Sequence, residues 1–272
     1  SNYEEMVRTA AKEGADFIVS GAGMPLSLPE FIKPYKVNLI PIISSPRGAE
    51  LIIKTWKRRY DRLPDAIVVE GPMAGGHLGF RYEDLKSNTA TCLEDLVAGV
   101  LEIVKAYETE FGASIPVIPA GGIFDGKDIA KFIRMGASGV QMATRFVATF
   151  ECPVSDKFKQ LYIAARDEDI VIIDSPVGMP GRAIKTKFVH KVTHGEKVPI
   201  ECSYKCLRTC EPTAVPYCIA RAMCNASIGD LDNAIVFAGS NVSRVKEIVS
   251  VKSLINELVD GANAALAVEN KA

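Results

Sequence analysis

Two rhythms of apolar residues alternate along the first 150 positions. Near-continuous apolar runs occur at "ADFIVS" (15–20), "VNLIPIIS" (37–44), "AIVVEG" (66–71), "IPVIPAGG" (115–122) and "SGVQMATRF" (138–146). Runs this short, bounded by small and polar residues, predict buried strands. Between them the apolar residues recur at helical spacing. The first helix takes Ser1 or Asn2 as cap, Met6, Val7, Ala10 and Ala11 as its apolar stripe, and Gly14 as its stop. A second opens at Ser45-Pro46, where proline suits the first turn, and runs through "GAELIIKTWKRRY". A third, "CLEDLVAGVLEIVKAYETEF", is predicted to be capped by Thr91 and closed by Gly112, and a fourth runs from Asp125 to Gly136.

Apolar strands alternating with amphipathic helices predict an α/β protein with parallel strands covered on both faces. Each strand ends in small or polar residues, and ligand chemistry in such folds gathers at the C-terminal ends of the strands. From about Pro153 the strand-helix unit stops repeating: "SDKFKQLYIAA", "SPVGMPGRAIKTKF", a cysteine-rich stretch and "VSVKSLINELVDGANAAL" follow. The expected organisation is a β/α unit over 1–152 and a mostly helical, cysteine-rich extension over 153–272.

Composition narrows the partners. The 272 residues are 48% hydrophobic with a formal net charge of -1, so neither nucleic acid nor an anionic membrane is expected as a partner. A small-molecule substrate is expected instead. No apolar run reaches bilayer length and the N-terminus lacks a signal-peptide plan, which makes a cytoplasmic location the default. Seven cysteines, an odd number in a chain this large, do not read as a secreted disulfide framework.

Two loops offer phosphate-binding chemistry. Gly121-Gly122 gives flexible backbone just before a helix, and Thr144 with Arg145 closes the last apolar run. A double glycine is ordinarily only a tight turn, and Thr-Arg only a helix cap; their succession on the last two strands strengthens both. A third loop, "EGPMAGGHLGF", sets Gly75-Gly76 before His77, one of only three histidines.

"AGGHLG" (74–79), "IPVIPAGGI" (115–123) and "GVQMATRF" (139–146), in this order and spacing, resemble the flavin-dependent nitronate monooxygenase family, and "SPVGMPGRAIKTKF" fits it as well. The resemblance implies a TIM (β/α)8 barrel carrying FMN, of which the five strands above are the last five, with an extension closing over the site. The resemblance places the other three strands before residue 1. It sets FMN against Glu70, the glycine pairs Gly75-Gly76 and Gly121-Gly122, and the run Gln141, Met142, Ala143 and Thr144; it makes His77 the catalytic histidine. The family commonly has glutamine or lysine where this chain has Glu70, which when ionised can only accept hydrogen bonds. Ala143 stands where the family often has glycine.

A histidine titrates near neutral pH, so His77 is the expected base that takes the carbon-bound proton of a nitroalkane, dioxygen completing the oxidation. A flavin-type enoyl-acyl-carrier-protein reductase, using NAD(P)H, is the alternative. A homodimer is compatible with either. His190 and His194, in a polar stretch, read as surface residues. A different class of function, a zinc or iron-sulfur module, rests on Cys202, Cys206, Cys210, Cys218 and Cys224. The gaps between the first three match neither a zinc ribbon nor a ferredoxin run; on a helix they would share one face. No metal ligands are therefore assigned.

Overall fold

The fold, a computed structural model, describes residues 2–202, 206 and 210–268. In chain order it opens with α1 (Tyr3–Lys12), β1 (Phe17–Ser20), α2 (Leu28–Phe31), β2 (Asn38–Ile43), α3 (Pro46–Tyr60), β3 (Ile67–Glu70) and β4 (Gly76–His77). There follow α4 (Tyr82–Lys86), α5 (Leu93–Phe111), β5 (Val117–Ala120), α6 (Gly126–Arg134), α7 (Thr144–Val147) and α8 (Asp156–Ala164). The remainder comprises β6 (Ile170–Asp174), β7 (Pro180–Ile184), α9 (Lys187–Thr193), α10 (Ile219–Ile228), β8 (Val236–Phe237) and α11 (Val251–Val268), with three short 3-10 turns between them. None of the described helices is long and apolar enough to cross a membrane.

Contacts divide the chain into two units. The first comprises Ser1–Gly71, Thr91–Ala120 and Lys131–Gln141; the second comprises Pro72–Ala90, Gly121–Ala130 and Met142–Ala272. The chain thus passes repeatedly between units, which differs from the single division expected at 152/153.

The first unit is α/β, with a parallel sheet in the order β1-β2-β3-β5. Helix α3 starts as its sequence predicts: Ser45 Oγ accepts the Gly48 N–H at 3.1 Å, a cap that contributes about 1 kcal/mol. Its buried face carries Ala49, Ile52, Ile53 and Trp56, and Trp56 Nε1 donates to Pro25 O at 3.1 Å, so the buried indole leaves no orphan donor. Helix α5 buries Leu96, Val97, Val100 and Val104. A Cβ on Gly99 would fall 2.7 Å from the Pro46 ring, so the glycine permits the close approach of α5 to the first turn of α3.

Several expectations are corrected here. Helix α5 begins at Leu93 after Cys92, without a side-chain cap, so Thr91 does not cap it. In α1, Val7 and Ala11 are buried as expected but Met6 is 70% exposed. The fifth strand expected over 138–146 is reduced to one bridge, Ala120 to Gln141, after which residues 144–147 turn into α7. Four parallel strands, not five, form the described sheet.

The second unit holds an antiparallel sheet, β4-β7-β6 with β8 added to β7. The region after 153 carries helices α8 to α11 and, beside them, three strands, β6, β7 and β8, that the helical expectation did not include. "PGRAI" opens with the two residues least suited to strands, which is why periodicity missed β7. One core of this unit joins Tyr162, Ile184, Val236, Ala238 and Val242; another joins Ile173, Phe188, Tyr217, Ala222 and Ile235.

Candidate active site

In the first unit, Glu70 ends β3 and pairs in register with Ala120 at the end of β5. Ala120 also bridges Gln141. Two of the residues singled out from sequence thus share the C-terminal edge of the parallel sheet. Glu70 is half-buried, and burial pushes its carboxyl up to about 7, because removing water disfavours the charged form. At neutral pH a substantial fraction of Glu70 holds its proton and can donate a hydrogen bond, which an ionised carboxylate cannot.

The second unit carries His77, Gly75, Gly76, Gly121, Gly122, Met142, Ala143 and Thr144. His77 lies in the two-residue strand β4, paired opposite Gly181 of β7, and Leu78 N–H donates to Pro180 O at 2.8 Å. Its Nε2 lies 2.8 Å from Ser175 Oγ. Its ring packs edge-on against Phe237, with centroids 5.0 Å apart. Two side chains thus hold the imidazole, and Nδ1 remains without a partner among the described residues. Burial lowers the His77 pKa, so the ring is neutral at neutral pH and able to accept a proton.

Ser175 is positioned by the turn between β6 and β7. Its N–H donates to Met179 O at 3.2 Å and its carbonyl accepts from Gly178 N–H at 2.9 Å, with Gly178 at a φ of +77° that favours glycine. Arg182 of β7 is 8% exposed and donates through Nη1 to Ala74 O at 2.6 Å and also to Pro72 O. Burial lowers its pKa to about 10, which leaves it charged at neutral pH. Its guanidinium binds the glycine loop from within.

The three glycine and threonine loops meet one further segment, Gly239 to Asn241. Ser240 N–H donates to Met73 O at 3.1 Å, Asn241 Nδ2 donates to Gly122 O at 2.7 Å, and Gly239 N–H donates to Thr144 Oγ1 at 3.0 Å. The fit is close: a Cβ on Gly75 would lie 2.4 Å from the Ala238 carbonyl carbon, and one on Gly239 would lie 2.9 Å from Thr144 Oγ1. Gly121 and Gly122 take φ of +89° and +85°, and Cβ atoms there would press on Ala74 and Met73. The N–H groups of Gly122, Ala143 and Thr144 have no acceptor among the described residues. They are donors of the kind a phosphate takes.

Sequence reasoning missed Ser175, Arg182, Phe237 and the Gly239 to Asn241 segment as site residues. Only the quoted stretch "SPVGMPGRAIKTKF" contained two of them. Arg145, considered beside Thr144, is committed elsewhere: it pairs with both oxygens of Glu257 at 2.7 and 2.8 Å. His190 and His194 are exposed, as expected, and stack at 4.1 Å. Cys202, Cys206 and Cys224 are exposed, whereas Cys210 and Cys218 are half-buried. Cys202, Cys206 and Cys210 lie outside any helix, so the shared helical face is corrected; residues 203–205 and 207–209 lie outside the described residues. Among the described residues no group of three His, Cys, Asp or Glu is arranged to hold a metal ion.

Comparison with known proteins gives a consistent outcome. A family model described as nitronate monooxygenase matches residues 1–261. Among curated relatives, a probable nitronate monooxygenase of Staphylococcus saprophyticus is 32% identical over 136 residues, covering 50% of this chain and 36% of the relative. A (3aS,4S,5R,7aS)-5-hydroxy-7a-methyl-1-oxo-octahydro-1H-indene-4-carboxyl-CoA dehydrogenase of Mycobacterium tuberculosis is 38% identical over 133 residues, 49% of this chain and 33% of that protein. The matched stretches therefore span about a third of these relatives' length. Among solved structures, FabK from Thermotoga maritima superposes with a TM-score of 0.77 at 24% identity, over 99% of this chain and 75% of that one, a likeness of fold.

Proposed function

Because the chain belongs to the nitronate monooxygenase family, we propose that it is an FMN-dependent oxidoreductase that oxidises nitroalkanes or their nitronates with dioxygen, with His77 as its base. The observation that carries this reading is the setting of His77: fixed through Nε2 by Ser175 at 2.8 Å and by the Phe237 ring, with Nδ1 left to take a proton, while burial lowers its pKa. The parallel sheet of the first unit is read as part of a (β/α)8 barrel.

The residues fit a flavin phosphate. The unengaged N–H groups of Gly122, Ala143 and Thr144 supply its donors, and glycine at 122 keeps the backbone open to close approach. Gly75, Gly76, Gly121 and Met142, of the same unit, complete the contacts assigned there. When bound, the flavin supplies the acceptor for the substrate's electrons. In the first unit Glu70, partly protonated near pH 7, can donate a hydrogen bond, as the glutamine or lysine common in the family can.

His77 takes the carbon-bound proton of the neutral nitroalkane at Nδ1, and Ser175 accepts the hydrogen bond from the resulting imidazolium. Replacement His77→Asn is expected to keep the flavin spectrum and slow turnover of the neutral nitroalkane by about a hundredfold, while oxidation of the preformed nitronate suffers less. Unchanged turnover of the neutral form would remove the base assignment; equal loss on both forms would make His77 a substrate-positioning residue.

Similarity to a carboxyl-CoA dehydrogenase favours one second reading, an NAD(P)H-dependent reductase of an enoyl thioester. Anaerobic flavin reduction by NADPH against reduction by a nitronate separates the two.

A further inference from the structure

Away from the glycine loops, α9 sets two imidazoles side by side in the second unit. His190 lies in its last turn and His194 is its C-cap, four positions on, where helix geometry places side chains on one face. Both are exposed, and their rings stack with centroids 4.1 Å apart and planes 23° from parallel. The turn that carries them is closed by its own hydrogen bonds. The Gly195 N–H donates to Val192 O at 3.3 Å and the Glu196 N–H to Lys191 O at 3.2 Å, with Gly195 at a φ of +89°, the paired bonds of a Schellman cap. On the inner side of α9, Phe188 and Val189 anchor it in the core.

One hydrogen bond fixes the state of His194. Its Nδ1 lies 2.7 Å from His190 O. A carbonyl oxygen only accepts, so Nδ1 carries the hydrogen, and Nε2 of the neutral ring keeps a bare lone pair. An Nδ1–H held by a backbone carbonyl is the arrangement that orients a metal-ligating imidazole.

From this geometry we propose that His190 and His194 form a two-imidazole site for a late first-row divalent cation: Cu2+, Ni2+ or Zn2+. Metal–nitrogen bonds of about 2.0–2.1 Å ask the two ligating nitrogens to stand about 3 Å apart, and rotation of the exposed His190 side chain is what closes the present stacking to that spacing. Imidazole suits these cations, whereas Mg2+ and Ca2+ take oxygen ligands. Two protein ligands are fewer than a structural zinc site has, and no third His, Cys, Asp or Glu among the described residues joins them. Water therefore fills the other positions, and the ion is exchangeable. The negative end of the helix dipole favours a cation there, while the exposed Lys191 between the two histidines opposes it. Bridging positions four apart, the ion ties together the last turn of α9.

The experiment uses the untagged full chain with its exposed thiols alkylated by N-ethylmaleimide, since Cys92, Cys202, Cys206 and Cys224 are exposed and thiolates bind some of the same cations. Substoichiometric NiCl2, which is paramagnetic, is added while the histidine ring protons are followed by NMR. The three histidines are assigned by the loss of one set of signals each in His77→Asn, His190→Asn and His194→Asn. The His190 and His194 signals should broaden together while those of His77 stay sharp, and excess MgCl2 should not restore them. By calorimetry, the affinity for Ni2+ should fall at least about tenfold in either His190→Asn or His194→Asn, because each variant removes the second, intramolecular contact. Both substitutions are at exposed positions and leave the core of α9 intact. No broadening, broadening of one signal without the other, or a smaller loss of affinity in either variant overturns the proposal.

Discussion

Glu70 should make the flavin-free protein less stable as pH rises, by an amount its burial fixes. Its pKa in the folded chain is about 7, against an ordinary value of 4.5. Below pH 4.5 both folded and unfolded chains hold the proton, and Glu70 contributes no difference. Between 4.5 and 7 the folded chain binds more protons than the unfolded one, so stability falls with rising pH at about 1.4 kcal/mol per unit. Above 7 the full penalty applies, about 2–3 kcal/mol once partial exposure is allowed for. The isosteric Glu70→Gln variant keeps the side-chain volume and carries no charge to desolvate. Urea unfolding of both proteins across pH 4.5 to 8.5 is the assay, with ΔG extrapolated at each pH. The variant should match wild type at pH 4.5 and exceed it by about 2–3 kcal/mol at pH 8.5. A difference that stays flat across the range would refute the argument, since a packing effect of the amide has no reason to follow a titration.

Two further predictions concern the glycine loop. Gly75→Ala drives a Cβ to within 2.4 Å of the Ala238 backbone, whereas Gly76→Ala meets no atom and suffers only from its φ of +79°; unfolding midpoints should show losses of about 3 and about 1 kcal/mol respectively, and equal losses would refute the steric account. Arg182→Met leaves the Pro72 and Ala74 carbonyls without their donor and should cost about 2–4 kcal/mol in the same assay, a loss below about 1 kcal/mol counting against Arg182 as the loop's anchor.

The parallel strands β1, β2, β3 and β5 were legible as short unbroken apolar runs, although in β1 Phe17 and Val19 are exposed rather than covered. "SGVQMATRF" satisfied the same rule and yet forms only the Gln141 bridge, since backbone pairing depends on a neighbour that periodicity does not see. The loops were legible through their glycines, whose positive φ at 76, 121 and 122 leaves a compositional mark. What binds those loops was not. Arg182 sits in a strand that opens with proline and glycine, and the bonds from Gly239, Ser240 and Asn241 cross 95, 167 and 119 residues. No local spacing rule reaches that far.

The clasp formed by residues 239–241 carries a consequence for biosynthesis. A ribosome delivers residues 73, 122 and 144 well before it delivers the segment that ties them together. Bonds of such long sequence separation form late, because loop closure must precede any gain from the contact. Until then, a nascent chain can have its parallel sheet and still lack a fixed glycine loop. On the proposed flavin site, capture therefore belongs after translation of the clasp, and nascent chains stalled before residue 239 should emerge colourless.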